Sequence, residues 1–407
     1  MKKIKNYAPQ LIFLLMTSTL CMTYFVQNVV VFQSVIYLLV FILYILSRKT
    51  VLQSSIKTCM NLYIIFAVLY VVRAFIELEL LNHIQELYAN NSTVYFFLIT
   101  GLLLPAFFVP KLKNTQSYNS VFFILSIVIC ISLFISLYNI LTGNVILTAD
   151  QRIQANERLG VIQYGHLGLT GALTGYLCYV QKSNKKIVRL LGIVVIAIGL
   201  ISMLMAGTRG ALISAIVIMA VYLLAHAKMR SFVILIIISL ILFQFLDYIE
   251  SIFESLGAAS MMRIIRFFSE GGDQSSGRTD IWMHAINNIL ESPICGVSCF
   301  WSSDGGEITY VHNSFIEVTY ALGFFGLFVF AKINYVAIKA CILSIKSSNF
   351  SGIAFSFFYL QYFTYTLFSD SIIRSPLYWF FLLMMLNIRN QQLKTKYENS
   401  ISSNTNL

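Results

Sequence analysis

The sequence predicts an all-α polytopic membrane protein of about twelve transmembrane helices, and three observations predict it. Apolar residues make up 58% of the 407-residue chain, charged residues only 11%, and mean hydropathy is +0.78, which is too apolar for a soluble domain or a pair of them. Apolar runs recur at lengths that cross a hydrocarbon core of about 30 Å. Lysine and arginine cluster in alternate connections, as they do where one face of a membrane protein is cytoplasmic.

The runs lie at about 8–26, 29–47, 59–76, 92–109, 119–141, 163–180, 187–206, 211–227, 231–247, 320–344, 350–369 and 376–388. The first follows Lys2, Lys3 and Lys5, but no small-residue cleavage site comes after it, so it reads as a helix rather than a signal peptide. The last run is short, and nothing after Asn390 reads as folded. The chain is thus one integral membrane domain, 1–407, with residues 390–407 as a cytoplasmic tail. Arg48/Lys49/Lys57, Lys111/Lys113, Lys182/Lys185/Lys186/Arg189, Lys228/Arg230 and Arg389/Lys394/Lys396 mark the cytoplasmic face, which puts both termini inside. Of the seven cysteines only Cys295 and Cys299 fall in a long loop, so no disulfide framework is implied and both read as small buried thiols.

Every lysine falls on or near the cytoplasmic side of this map, whereas all acids except Glu398 fall outside, with Arg73, Arg152, Arg158, Arg209, Arg263, Arg266, Arg278 and Arg374. A site that grips phosphate through a planar, always-charged fork prefers arginine in this way; outer loops that merely avoid translocated positive charge would leave a similar residue of arginines. The net charge of +11 belongs mostly to the inner face against anionic lipid, and no basic run with interleaved aromatics points to nucleic acid.

Two outer segments stand out by length, 142–162 and 248–319. In the second, "RTDIWMHAINNIL" sets Ile281, Trp282, Ala285, Ile286, Ile289 and Leu290 on one helical face, expected to lie on the membrane surface with Trp282 as anchor. Three short motifs end apolar helices on this side: "AGTRGAL", "SSGRTDIW" and "HNSFIEV". Arg209 in the first is held near the hydrocarbon boundary, either gripping an anionic headgroup or snorkelling to keep helix ends in register. His312 in the third has Asn313 and Ser314 to cap the following helix and Glu317 one turn on; an imidazole with a pKa near 6.5 can take a proton from a hydroxyl. His166, at the start of an apolar helix, is a second candidate. Glu77/Glu79 and Asp247/Glu250/Glu254 read as solvated faces rather than metal sites, and no nucleophile elbow or Walker loop occurs.

The succession of a Gly-Thr-Arg-Gly turn, a long outer loop with "SGRTDIW" and "SPICGVSCF", and then "HNSFIEVTYALGFFGL" resembles the O-antigen ligase and O-antigen/capsule polymerase superfamily of bacterial envelope glycosyltransferases, best over residues 150–335. The resemblance implies a GT-C-like fold of twelve helices with its large periplasmic loop between helices 9 and 10. It implies an undecaprenyl-pyrophosphate-linked oligosaccharide donor and a lipid-linked glycan or lipid A core as acceptor, with a chain-length regulator as a further partner, no cofactor and no metal. By motif, Arg209, Arg278 and, through "NERLG", Arg158 would hold the pyrophosphate, and His312 would activate the acceptor hydroxyl, supported by Asn313 and Glu317. The reading taken from it is a repeat-unit polymerase; the alternatives are a catalytically inactive scaffold, a ligase to lipid A core, and a flippase or other transporter. Against the last, charges are few inside the helices and gather at their outer ends.

Overall fold

The computed structural model describes residues 8, 10–17, 29–51, 59–80, 91–108, 119–143, 146–147, 153–154, 160–181, 186–226, 278–300, 310–347 and 349–404. The run at 231–247, the whole of the loop from 248 to 277 with Arg263 and Arg266, and Arg152 and Arg158 lie outside the described residues. Apart from one hairpin of two-residue strands, Ile146–Leu147 paired with Ile153–Gln154, the regular structure among the described residues is helical. Four described helices are long and apolar enough to cross a membrane: Cys59–Leu80, Ser120–Leu141, Lys186–Met205 and Ser314–Lys346.

In chain order the helices are α1 (10–17), α2 (Val29–Val51), α3 (Cys59–Phe75), α4 (Asn91–Phe97), α5 (Leu104–Phe108), α6 (Asn119–Leu141), α7 (Val161–Val180), α8 (Lys186–Met205), α9 (Arg209–Ala225), α10 (Arg278–Glu291), α11 (Ser314–Lys346), α12 (Phe350–Phe368) and α13 (Pro376–Asn404). Two differ from expectation. Helix α11 begins at Ser314 rather than near residue 320, because Asn313 caps it: its Oδ1 accepts from the Phe315 and Ile316 amides at 3.0 and 3.2 Å. Helix α13 runs on to Asn404, so the segment after Asn390 is helical although its sequence is polar; Gln392 ties it to α11 through the Ala340 carbonyl and the Ser344 hydroxyl at 3.4 and 3.3 Å.

The chain forms two compact units. In the first (residues 1–43, 114–274 and 349–361), α7 and α8 cross closely because small residues face each other. A methyl group added at Gly175 or Gly192 would lie 2.7 Å from the other's carbonyl oxygen, and one at Gly199 would lie 2.6 Å from the Ala172 amide. Phe13 packs edge-on against Phe122 and Phe355 at 5.5 and 5.4 Å. Gln361 crosses to α7, donating to the His166 carbonyl at 2.9 Å and the Thr170 hydroxyl at 2.8 Å.

The second unit (residues 44–113, 275–348 and 362–407) packs α3, α11 and α13 around a buried aromatic cluster of Phe66, Phe330, Tyr378 and Trp379. Tyr378 donates to Asn334 Oδ1 at 2.8 Å, so the polar groups inside this core are paired. Helix α11 breaks at Gly323, whose φ of 64° lies in the left-handed region. The segment 292–300 fills the break: the Phe324 amide donates to the Pro293 carbonyl at 2.9 Å, and the Val297 amide to the Tyr320 carbonyl at 2.6 Å. A side chain at Gly323 would run into the Pro293 and Ile294 carbonyls, and one at Gly296 (φ 76°) into the Tyr320 carbonyl.

Candidate active site

Arg278 and His312 come together in the second unit. Arg278 opens α10, and its charge acts on the His312 ring. One turn along, Trp282 Nε1 donates to the Val311 carbonyl at 2.9 Å, so the helix that carries the arginine is fastened to the residue before the histidine. The same face of α10 supplies Ala285 and Ile289, buried with Val311 and Tyr320, while Ile281 and Trp282 are partly buried against them. Trp282 is thus engaged by the protein as well. Of the six apolar residues expected on one face, Ile286 and Leu290 point outward, with Met283 and Ile294 beside them.

His312 has a φ of 59°, and it is the one described non-glycine residue in the left-handed region. Such a backbone costs on the order of 1–3 kcal/mol and persists where the surroundings over-determine it. Three contacts do so here. Asn313 caps α11, the Ser369 carbonyl accepts a hydrogen bond from the imidazole, and the Tyr310 ring lies 4.2 Å from the imidazole, centroid to centroid. Nδ1 is buried without a hydrogen-bond partner in the protein. Burial first, and then the Arg278 charge, push the imidazole down to about pKa 4 against the opposing Ser369 contact. The ring is therefore neutral at working pH and a weaker base than an ordinary histidine, which corrects the expectation of a pKa near 6.5.

Glu317 makes its hydrogen bonds to the segment after α12. Its buried carboxylate accepts from the Ser371 hydroxyl and from the Ile372 amide at 3.2 Å, which holds the turn between α12 and α13. That turn brings in Asp370, which sequence reasoning missed, and Arg374, which it named only among the outer arginines. Asp370 accepts from the Ser375 hydroxyl and from the Ser371 amide at 2.9 Å; burial raises it to about pKa 6, opposed by Ser375, Ser371 and Arg374. The Arg374 guanidinium sits 5.4 Å from the Tyr310 ring centre and 4.8 Å from that of Phe97. The Asp-x-x-x-Arg spacing of "DSIIR" was the available signal.

Glu77 is a second correction. It is 2% exposed rather than solvated, pairs with Arg73 at 2.5 Å, and accepts from the Ser298 hydroxyl at 2.7 Å and the Cys299 amide at 2.9 Å. Arg73 also donates to the Val297 carbonyl at 2.8 Å, and Tyr70 to the Cys299 carbonyl at 3.1 Å. The "GVSCF" strip is thus held along its backbone by α3 and the turn after it. Cys299 is buried as expected and burial raises its thiol well above the ordinary range, whereas Cys295 is exposed.

In the first unit Arg209 is the first residue of α9, partly buried, after the turn at Ala206 and Gly207 and the extended Thr208. Gly165 of α7 lies against the Thr208 side chain, and the next residue, His166, is buried inside α7.

Residues 192–331 match the family described as O-antigen ligase. That stretch contains Arg209, Arg278, His312, Asn313 and Glu317, and the match supports the O-antigen ligase/polymerase superfamily. With the apolar helices, the match makes the chain similar to integral membrane proteins of O-antigen ligase type. No curated protein matches the chain.

Proposed function

We propose that the chain is an inner-membrane glycosyltransferase that polymerises undecaprenyl-pyrophosphate-linked repeat units, of O-antigen or capsule type, at the periplasmic face. On this reading it has twelve transmembrane helices, cytoplasmic termini and the loop 248–319 outside. The observation that supports it most is the neutral, strained His312 with an unpartnered Nδ1 beside Arg278. A buried lone pair next to a fixed cation suits a reaction in which a hydroxyl is deprotonated while an anionic leaving group departs.

The acceptor hydroxyl oxygen attacks the anomeric carbon of the donor sugar. The bond from that carbon to the pyrophosphate oxygen breaks with inversion, the electron pair leaves on the pyrophosphate, and the hydroxyl proton passes to His312. Arg278, and by motif Arg209 and Arg158, bind the pyrophosphate, whose negative charge grows as the bond breaks; charge-assisted bonds of this kind are worth roughly 1.5–3 kcal/mol each. Arginine takes the place a metal holds in other transferases, and no cofactor is called on. Asn313 and Glu317 support the site by capping α11 and pinning the 371–372 turn.

The test is His312→Ala. It should lower turnover about 10²-fold or more while binding of a synthetic lipid-linked repeat unit stays near wild type. Parallel loss of donor binding and thermal stability would make His312 a scaffold residue instead.

A second reading, ligation of the finished glycan to lipid A core, is favoured by the description of the matched family. The purified enzyme given lipid-linked repeat unit alone separates the two: a polymerase makes a ladder of products, and a ligase stays idle until lipid A core is added.

A further inference from the structure

The turn between α12 and α13 touches His312 twice. Its first residue, Ser369, accepts a hydrogen bond from the imidazole through its carbonyl. Near its end, Arg374 lies over the Tyr310 ring, and the same ring lies against the His312 imidazole. The guanidinium, the phenol ring and the imidazole form a chain of contacts, with the two rings tilted 53° to each other, that ends at the residue with the left-handed backbone.

The turn is rigid, for reasons visible in its hydrogen bonds. Glu317 holds the Ser371 hydroxyl and the Ile372 amide, Trp379 Nε1 donates to the Ile372 carbonyl at 2.6 Å, and Asp370 holds Ser375 and the Ser371 amide. On its outer side the Ile373 carbonyl rests against Gly101, where a side chain would collide with it. Arg374 is further confined by Phe97. An arginine wedged between two rings on a pinned turn is a fixed object against which Tyr310 can lean; cation–π contact of this kind contributes when it is desolvated.

We infer that Tyr310, clamped by Arg374, is a positioning residue for His312: the pair fixes the direction of the imidazole and keeps water from its buried face. Neither residue reaches the reacting atoms on this account. Without the ring, the strained backbone at His312 loses one of its three restraints, and the side chain can relax toward solvent. The charged and titratable groups around these three residues are Arg278 from α10, Glu317 from α11, Tyr365 from α12 and Asp370 from the turn.

The inference deepens the proposed role of His312 and rests on it, so the experiment reads position and chemistry separately. The full chain in nanodiscs is compared as wild type, Tyr310→Leu, Tyr310→Phe, Arg374→Gln and Arg374→Lys. Position is read from the titration midpoint of His312, followed by hydrogen–deuterium exchange at the imidazole C2 with peptide mass spectrometry. Chemistry is read from kcat and KM with a synthetic polyprenyl-pyrophosphate repeat unit. Tyr310→Leu should move the midpoint upward by about one pH unit or more as water reaches the ring. It should lower kcat by about 10²-fold with donor KM within about threefold, whereas Tyr310→Phe keeps both near wild type. Arg374→Gln should shift the midpoint in the same direction, and Arg374→Lys should restore part of it. An unchanged midpoint and kcat in Tyr310→Leu overturn the inference; if that variant does not fold, the same result in Arg374→Gln does so. A wild-type rate in His312→Ala would overturn the catalytic reading alone, since the midpoint shifts do not depend on turnover.

Discussion

Lowering the pH tests the electrostatics of His312 directly. With the imidazole held at about pKa 4, roughly 97% of the enzyme keeps a neutral base at about pH 5.5, whereas an ordinary histidine at about 6.5 would leave roughly 9%. The sign is fixed by the cause. Burial and Arg278 both disfavour the imidazolium, so protonation, and with it loss of the base, comes only as pH falls through the depressed value. Profiles of kcat/KM against pH should therefore stay flat from about 7.5 to 5.5 and fall with a midpoint near 4. The kcat profile reports the donor-bound enzyme; if, as proposed, pyrophosphate binds Arg278, it cancels that residue's effect on the ring and the acid limb should lie at higher pH than the kcat/KM limb. The assay is the initial rate of chain extension by purified enzyme in nanodiscs, at saturating and at limiting lipid-linked repeat unit, with thermal stability measured at each pH. A kcat/KM limb near 6.5, or a kcat limb that moves down on donor saturation, would refute the arrangement of Arg278 beside a buried His312.

Other consequences are checked by substitution. Arg278→Lys and Arg209→Lys keep the charge but lose the planar fork, so each should lose most chain extension at normal expression if it grips pyrophosphate bidentately; full-length product from the lysine variants would show helix anchoring instead. Gly323→Ala forces a side chain into the left-handed region against the Pro293 and Ile294 carbonyls, and should cost about 2 kcal/mol or more, read as a lowered Tm in nanodiscs. Glu77→Gln breaks a buried ion pair and weakens the hold on Ser298 and Cys299; a loss of roughly 3 kcal/mol is expected, together with faster amide exchange over 297–299.

Arg278 and His312 were conspicuous, the one as an outer-face arginine where lysine is absent, the other for the neighbouring Asn313, Ser314 and Glu317. Their union was not, since it depends on Trp282 reaching the Val311 carbonyl, and nothing in the spacing of "RTDIW" tells a membrane anchor from a hydrogen-bond donor. Glu77 was misread because an acid at the outer end of a helix is solvated by default; only the arrival of Ser298 and Cys299, more than two hundred residues away, buries it. The polar end of α13 was misread for the opposite reason, as an apolar-run criterion stops where lipid contact stops while the helix continues beside α11. Asp370 and Arg374 lie in a short polar turn between two apolar runs, where hydropathy carries no information about which polar groups are buried.

The clasp that Arg73 and Glu77 place on the "GVSCF" strip bears on how such enzymes can be recombined. Both residues lie far upstream of the matched stretch 192–331, yet they hold the strip that fills the break in the helix His312 precedes. A chimera that transplants that stretch alone onto a relative's amino-terminal helices would bring a strip cut for one clasp to a different one, so the inheritable module is larger than the recognisable domain. Successful exchanges of specificity should be those that carry residues 70–77 along with 292–300.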